Sequence, residues 1–383
     1  MKSLKNLFSV VLGLAVLQLF SVSVSADNID RWLNHTYPNG DPEVTYSGPA
    51  FELKFSHPSP PASMIPPIWD KALQWQEEVT NGKLAFKVYG AGSLHDAKGG
   101  FKAVRSGISD YATCFVAHEG RGFEMSKVFE LPFVTPTNKL AAVRIVSELA
   151  PKYFKPEFEK RGVHFGYMVL VGAADIMSNK PIRKLEDLEG LKVIAQGFSP
   201  EAADALGMVV VNIPYPDIYT SFQQGIVDAV LWVDPGFIPY KIYELAKYHT
   251  TLNISAQHID TCINPRSFKK LPEDLQNTFY QLQQRIPYAI AKKVGVEFRE
   301  KAVSIYKKQG VEMITLPDSE LERWKARMEP VLDQWAEKME AKGKPGRQLL
   351  ADIERLTRKY NQMSDEELFD LIVNDPVEGI IEY

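Results

Sequence analysis

The 383-residue sequence has little cysteine and no excess of basic residues. Its two cysteines, Cys114 and Cys262, lie far apart in the chain, so we expect two unpaired, half-buried thiols rather than a bridge. There are 44 basic and 48 acidic residues, for a net charge of −4. This balance argues against a nucleic-acid partner and provides no basic patch for a membrane surface.

Sequence motifs of common catalytic and metal sites are also absent. The seven histidines are scattered, and no two have the i, i+4 spacing of a metal-binding helix. Gly90-Ala91-Gly92 lacks the later Gly and Lys of a phosphate loop, and there is no Gly-x-Ser-x-Gly string. We therefore expect no cofactor, no metal ion and no catalysis. An enzyme stays an alternative, because catalytic groups can meet in space without a local motif.

The first 26 residues have the pattern of a secretory signal peptide. Lys2 and Lys5 precede an apolar run over residues 7–20, and small residues up to Ala26 predict cleavage before Asp27. The apolar run is too short for a spanning helix, which needs about 20 residues. We expect the mature chain to work in the periplasm as a soluble protein.

Helix and strand patterns alternate along most of the mature chain, which predicts an α/β fold with mainly parallel sheets. Residues 107–110 and 225–228 share the string Gly-Ile-x-Asp, each between a helix pattern and an apolar strand. This repetition favours two similar lobes, although two ordinary helix–strand junctions would give the same strings. The polar, turn-rich stretch from Asp27 to Gly48 predicts a loosely held leader.

Aromatic residues follow two predicted strands in the second half of the chain. Tyr215 lies between two prolines, and Trp232 ends an apolar strand shortly before Asp234 and Phe237. Ligands of open α/β sheets bind beyond the carboxyl ends of the strands, where a rigid aromatic ring can form a pocket wall. We predict that these residues line a ligand pocket, the alternative being that Tyr215 and Trp232 are core residues.

Several segments, taken in order, resemble the solute-binding proteins of TRAP transporters. The similar segments are residues 78–84, 90–94, 104–107, 178–182, 188–193, 205–207, 219–228, 264 and 271–276. The resemblance implies a two-lobed, type II-like periplasmic-binding-protein fold with crossing strands, a long hinge-spanning helix and a helical C-terminal tail. It also implies capture of a small-molecule ligand and its delivery to a TRAP permease. A periplasmic sensor subunit is an alternative use of the same fold.

The resemblance divides the chain into five parts. These are a signal peptide (1–26), a leader (27–50), lobe I (51–172 and 258–297), lobe II (173–257 and 298–335) and a C-terminal helical extension (336–383). One interpretation of the extension is a clasp that joins two copies of the chain into a homodimer.

The chain departs from the family pattern at residues that bind carboxylates. Most members have an Arg where this chain has Ile194, and many have a second Arg where it has Ala174. Phe115 occupies the position of a Glu found in sialic-acid-binding members. Losing arginine removes the side chain whose two parallel N–H groups best fit a carboxylate.

These departures predict a largely apolar pocket. Its walls would be Phe115, Ala174, Ile194, Tyr215 and Trp232, and its polar groups His57, Gln196, Asp234 and Asn264. We expect a ligand with a large apolar or aromatic body, because a buried carboxylate without a charged partner is costly. In the alternative, another basic group such as Lys192 or Arg266 binds the carboxylate of an organic acid.

Overall fold

The computed structural model describes residues 27–38, 40–61, 63–195, 198–214 and 217–382, and the predicted signal peptide lies outside these ranges. Two β-sheets, each with its own hydrophobic core and its own helices, account for most of this part of the chain. No helix within the described ranges is long and apolar enough to cross a membrane.

The first sheet has the strand order β2-β1-β3-β10-β4. Its strands are β1 (Phe51–Ser56), β2 (Leu84–Tyr89), β3 (Tyr111–Thr113), β4 (His164–Val171) and β10 (Gln257–Ile263). Its helices are α2 (Pro66–Val79), α3 (Gly100–Ser106), α4 (Lys139–Leu149), α5 (Lys155–Glu159) and α9 (Pro265–Lys269). Strands β1, β2 and β3 are parallel, whereas β10 is antiparallel to β3 and β4. The carboxyl ends of β1 to β4 therefore lie at one edge.

The second sheet has the order β11-β9-β5-β8-β6-β7. Its strands are β5 (Asp175–Ser178), β6 (Lys192–Ala195), β7 (Val209–Val210), β8 (Ala229–Trp232), β9 (Tyr248–Thr251) and β11 (Glu312–Thr315). Its short helices are α6 (Pro200–Ala205), α7 (Ile218–Gln223) and α8 (Asp234–Phe237). Only β5 runs against its neighbours, so the other strands end at the edge where β5 begins.

Two connections cross between the sheets. Residues 172–174 lead from the end of β4 to the start of β5, and residues 252–256 lead from the end of β9 to the start of β10. The backbones of Ala174 and Ser255 are hydrogen-bonded, with the Ala174 N–H donating to the Ser255 carbonyl at 2.9 Å. Because both connections join the strand-end edges, these two edges face each other.

A kinked run of helices forms the hinge side of the molecule. It comprises α10 (Glu273–Gln283), α11 (Ile286–Ile290), a π-helical stretch (Ala291–Phe298) and α12 (Arg299–Lys308). The wide π-helical turns lie between the part that packs on the first sheet and the part that packs on the second. Such turns are often found at functional positions of long helices.

The C-terminal helices bind the body of their own chain. They are α13 (Asp318–Glu340), α14 (Gly346–Tyr360) and α15 (Asp365–Asn374). Helix α13 buries Trp324 in the core of the second sheet and Met339 in that of the first. Helices α14 and α15 then pack on α4. Because their apolar faces are buried within one chain, the described structure does not support the predicted homodimer clasp.

The prediction of a loosely held leader is wrong. Residues Asn28–Leu33 form helix α1, which buries Ile29 and Trp32 against α15. Further along, the fully buried guanidinium of Arg285 lies 3.0 Å from the carboxylate of Asp41. The buried Ile29 and Trp32, together with the ion pair of Asp41, thus anchor the leader to the rest of the chain. The boundaries predicted for the five parts of the chain stay a prediction.

The prediction of two unpaired thiols is also wrong, because Cys114 and Cys262 form a disulfide. Cys114 directly follows β3, and Cys262 lies in the neighbouring strand β10, so their Cα atoms are 5.7 Å apart. The chain passes through β5 to β9 of the second sheet before β10 returns to the first. The separation of the cysteines in sequence therefore does not indicate their distance in space.

Candidate functional site

The candidate site is the strand-end cleft, which we define as the region between the carboxyl ends of β1 and β3 in lobe I and of β6 and β8 in lobe II. The two crossing connections bridge these edges. Parallel strands present their last residues and the following loops to such a region, which is where ligands of open α/β sheets bind.

On the lobe I side, the structure places His57 and Phe115 at adjacent strand ends. His57 is buried, its ring 4.9 Å from that of Trp69, and its Nδ1 has no hydrogen-bond partner among the described residues. Burial lowers the pKa of His57, which favours the neutral imidazole. Phe115 is half-buried, with its ring 6.0 Å from that of His118. This side therefore offers aromatic surface and an uncharged polar group.

On the lobe II side, Trp232 is the last residue of β8 and its ring centroid lies 5.3 Å from that of Tyr240. Gly236 packs so closely over the indole that a β-carbon there would collide with the ring. Ala174 and Ile194 are both buried in the lobe II core, and so is Phe237. Trp232 is buried in the same core, although it ends β8 at the edge that faces the cleft. The structure thus places all four residues in the lobe II core, which agrees with the alternative that Trp232 is a core residue.

Two of the predicted pocket residues, Gln196 and Tyr215, lie outside the described residues. Their roles stay predictions. The described residue before Gln196 is Ala195, the last residue of β6. The described residue before Tyr215 is Pro214, in the loop that follows β7.

Asp234 belongs to a buried charge cluster that the sequence did not predict. Its carboxylate accepts hydrogen bonds from Arg299 at 2.8 Å and from the Tyr306 hydroxyl at 2.9 Å. Arg299 also binds Asp175, whose other oxygen accepts the backbone N–H of Leu252 at 2.7 Å. Both carboxylate oxygens of Asp234 therefore already have partners. The cluster as a whole joins α12 to the crossing connection that follows β9.

The electrostatics of this cluster favour charge on Arg299 and Asp175, whereas burial raises the pKa of Asp234 and so opposes charge on that carboxyl. Burial opposes charge on Arg299, but Asp175 and Asp234 together raise its pKa. Burial likewise opposes charge on Asp175, and Arg299 nevertheless lowers the pKa of that carboxyl. Lys139, at the start of α4, lies on the other side of the cluster, and burial lowers its pKa to about 8. The hinge therefore brings the partly exposed Arg299 into close association with three buried ionisable groups, which are Asp175, Asp234 and Lys139.

A second buried cluster supports the lobe I side of the cleft. Nδ1 of His258 lies 2.8 Å from Asp260, and Nε2 lies 3.3 Å from Glu130. Asp260 also accepts the backbone N–H of Val116, next to Phe115, at 2.9 Å. Burial disfavours the imidazolium, but the two carboxylates raise the pKa of His258 to about 10. His258 is therefore charged at neutral pH. It pairs with Asp260 of β10, which in turn binds the loop that follows β3.

Asn264 is not brought together with the other predicted residues. Its side chain caps α9 by accepting the N–H groups of Arg266 and Ser267 at 2.8 and 3.1 Å, and its amide donates to the Val104 carbonyl. It follows the carboxyl end of β10, which runs against β3, and so it lies at the far edge of the sheet from Phe115. Its placement indicates a structural role in capping a helix.

The residues that the sequence missed lack a local signature. Asp175, His249 and Arg299 come from three separate elements, and His249 Nε2 lies 3.6 Å from Asp175 only because β9 is the neighbour of β5. The sequence offered one sign of these clusters, a charged residue within an otherwise apolar strand pattern, as at Asp175 and Asp260.

The chain matches the bacterial extracellular solute-binding proteins of family 7 over residues 63–338. It is 26% identical to the C4-dicarboxylate-binding periplasmic protein DctP of Rhodobacter capsulatus over 295 residues, which is 76% of this chain and 87% of that protein. It is 23% identical to a solute-binding protein of Albidiferax ferrireducens over 257 residues, covering 65% and 74% of the two chains.

Solved structures show the same fold. A TRAP periplasmic solute-binding protein of Desulfovibrio salexigens superposes with a TM-score of 0.73 at 26% identity, covering 82% of this chain and 98% of that one. A TRAP solute-binding protein of Rhodoferax ferrireducens, in complex with benzoate, gives a TM-score of 0.69 at 22% identity, covering 82% and 99%.

These findings confirm the predicted resemblance and the predicted two-lobed α/β fold. The family consists of substrate-binding proteins rather than enzymes, and its relation to periplasmic TRAP components implies a periplasmic location. The chain belongs to family 7 of the bacterial extracellular solute-binding proteins, which capture small organic ligands for TRAP transporters.

Proposed function

We propose that this protein captures a small organic molecule with an aromatic or otherwise large apolar body in the strand-end cleft and delivers it to a TRAP permease. The sequence carries this proposal. The resemblance implies that Ile194 and Ala174 stand where most or many family members have a carboxylate-binding arginine, and both side chains are apolar and buried in the lobe II core. Phe115 supplies half-buried aromatic surface at the lobe I edge, and the buried Trp232 ends β8 at the facing edge of lobe II. Closure of two preformed lobes would then bury the ligand.

Relatives with aromatic ligands support this choice of ligand. The Rhodoferax ferrireducens protein was solved with benzoate, and a marine metagenome protein with 3-hydroxybenzoate also superposes with a TM-score of 0.69. At 22% and 19% identity these structures establish the shared fold alone, so they indicate only that this fold can accommodate an aromatic ring. Both of those ligands also carry a carboxylate.

Binding of an organic acid through a non-standard basic group is the second candidate. It is favoured by the Rhodobacter capsulatus relative, which is named for binding C4-dicarboxylates. The two basic groups proposed for it, however, are poorly placed. Lys192 is the first residue of β6, and Arg266 follows the carboxyl end of β10, so both lie at the edges opposite the cleft.

A thermal-shift comparison on the mature chain tests the proposal. The ligands are benzoate, 3-hydroxybenzoate, the uncharged benzyl alcohol and succinate. A ligand that binds only the folded state raises Tm in a concentration-dependent way. We expect aromatic compounds, including benzyl alcohol, to stabilise the protein and succinate to have no effect. Stabilisation by succinate alone would overturn the proposal, and stabilisation by all acids but not benzyl alcohol would favour the second candidate.

A matched pair of substitutions then tests the location of the site. Phe115→Ala removes a half-buried ring at the cleft edge and should weaken aromatic binding by at least tenfold. Phe86→Ala removes a half-buried ring of the same sheet, in β2, that stacks 6.0 Å from Phe279 instead. It should leave affinity unchanged. Equal effects of the two substitutions would remove Phe115 from the site.

A further inference from the structure

A second cavity, of about 670 Å³, lies outside the strand-end cleft. We call it the hinge-side cavity. Its walls come from α13, from α14, from the loop before α4 and from the crossing connection that follows β9. The apolar residues that define it are Phe133, Leu252, Leu321, Leu332, Leu350 and Ile353. None of the described residues that were predicted for the ligand pocket lines it, so the inference drawn from this cavity does not rest on the proposed function.

The size and lining of this cavity match those of small-molecule sites. Pockets for organic ligands usually enclose about 300–1,000 Å³ and are lined mainly by hydrophobic side chains. They occur most often where domains meet. The hinge-side cavity lies where both lobes and the C-terminal helices meet, since Leu321 belongs to the part of α13 on lobe II and Ile353 to α14 on lobe I.

The charges at the rim of the cavity are already paired with one another or with neighbours. Arg347 lies 2.9 Å from Asp333, and Lys325 lies 2.7 Å from Glu322. Glu354, about two turns after Arg347 along α14, is bound by Arg358. A charged ligand would therefore have to displace an existing partner. Charge complementarity favours a molecule without net charge.

Two walls of the cavity have an unusual backbone conformation. Phe133 has φ 58° and Asn253 has φ 51°, in the left-handed region that a bulky residue such as Phe rarely adopts. The Phe133 N–H donates to the Ile254 carbonyl at 2.6 Å, and its ring packs against the lobe II core although its backbone belongs to a lobe I loop. Local strain of this kind concentrates at functional sites, where the surrounding structure maintains it.

We propose that the hinge-side cavity is a second binding site, for an uncharged apolar or aromatic small molecule. The apolar part of the walls would contact such a molecule, and the rim charges Arg347, Lys325 and Glu354 already have partners. A bound molecule would touch lobe I through Phe133, the crossing connection through Leu252, and α13 through Leu332.

The test uses the neutral fluorescent probe N-phenyl-1-naphthylamine on the mature chain. We expect saturable binding of one probe per chain at this site. Ala351, an exposed residue of α14 on the cavity wall, allows the cavity to be filled without disturbing a core. Ala351→Trp should weaken probe binding at least tenfold, and Thr357→Trp, which enters from another turn of α14, should do the same. Gln348→Trp, exposed on α14 but outside the wall, should leave binding unchanged.

The remaining outcomes separate this site from the cleft and from a protein partner. Phe115→Ala should not alter probe binding at the hinge-side cavity, whatever it does to ligands of the cleft. The proposal is overturned by the absence of saturable binding, by probe binding that survives both tryptophan variants, or by probe binding lost in Phe115→Ala. It is also overturned by a doubled solution mass that Ala351→Trp abolishes, because the cavity would then be an interface between copies.

Discussion

Arg299 Nη1 lies 2.8 Å from the Oδ2 atom of Asp234, and this contact joins the first turn of α12 to the start of α8, just after β8. The same guanidinium reaches Asp175 at the start of β5. Both carboxylates are almost fully buried, so neither has water to compensate its charge. The hinge helix is therefore fastened to lobe II by one cation shared between two anions.

Replacing Arg299 should be among the most destabilising single substitutions in the protein. Arg299→Ala leaves two buried carboxylates without their shared partner, and breaking a buried ion pair in this way typically costs about 3–5 kcal/mol. Urea unfolding of the mature chain measures the loss. The control is Arg323→Ala, which removes half-exposed pairs with Glu186 and Glu320 and should change stability little. Equal losses in the two variants would contradict this account.

The charged His258 should make stability depend on pH in the alkaline range. The carboxylates of Asp260 and Glu130 raise its pKa to about 10 in the folded protein, against about 6.5 in an unfolded chain. A group with a raised pKa contributes stability that is fully present below pH 6.5 and is lost as pH rises through about 10.

His258→Gln isolates this contribution. The difference in unfolding free energy between the wild type and His258→Gln should be constant below pH 6, and should shrink steadily between pH 6.5 and 10. Chemical unfolding at a series of pH values measures it. A difference that stays constant up to pH 10, or that grows with pH, would show that His258 is neutral in the folded protein.

The Cys114–Cys262 bridge should contribute strongly to stability, because it closes a loop with a sequence separation of 148 residues. Bridges that close long loops stabilise by about 2–5 kcal/mol, mainly by restricting the unfolded chain. The double variant Cys114→Ala/Cys262→Ala should lose this amount in guanidinium unfolding while it keeps the affinity for cleft ligands. Unchanged stability in the double variant would mean that the bridge is open in the working protein.

The sequence predicted those features that depend on local pattern. Gly107 and Gly225 have φ values of 82° and 69°, as the shared Gly-Ile-x-Asp strings required, and each precedes a strand of its own sheet. Alternation of helix and strand was enough to predict the α/β class. The placement of Trp232 at the end of β8 followed from the same reasoning.

Contacts between residues that are far apart in the sequence could not be predicted in this way. The disulfide exists because β10 returns to lobe I, and the Arg299 cluster exists because α12, far along the chain, meets the residues at the start of β5 and just after β8. The leader is anchored by Arg285, which comes from a hinge helix far along the chain. Each of these contacts joins residues with no fixed spacing, so no periodicity or motif could indicate it.

The C-terminal helices should be essential to the folded monomer. Helices α14 and α15 bury Leu349, Ile353, Phe369 and Ile372, and the Asn138 side chain donates to the Met363 carbonyl at 2.9 Å. Burying each large apolar side chain stabilises by roughly 1.5–3 kcal/mol, so four of them account for roughly 6–12 kcal/mol. That amount is comparable to the whole stability of a typical domain, about 5–15 kcal/mol.

A mature chain ending at Gly343 should therefore aggregate or unfold at a much lower temperature. A chain ending at Ile381 loses Glu382, an exposed partner of Lys155 and the last described residue, and should behave as wild type. The full mature chain should have the mass of one chain in light scattering, because the faces available to clasp a second copy are already covered by α4. A stable, monomeric truncation at Gly343 together with a dimeric full chain would show instead that α14 and α15 exchange between copies.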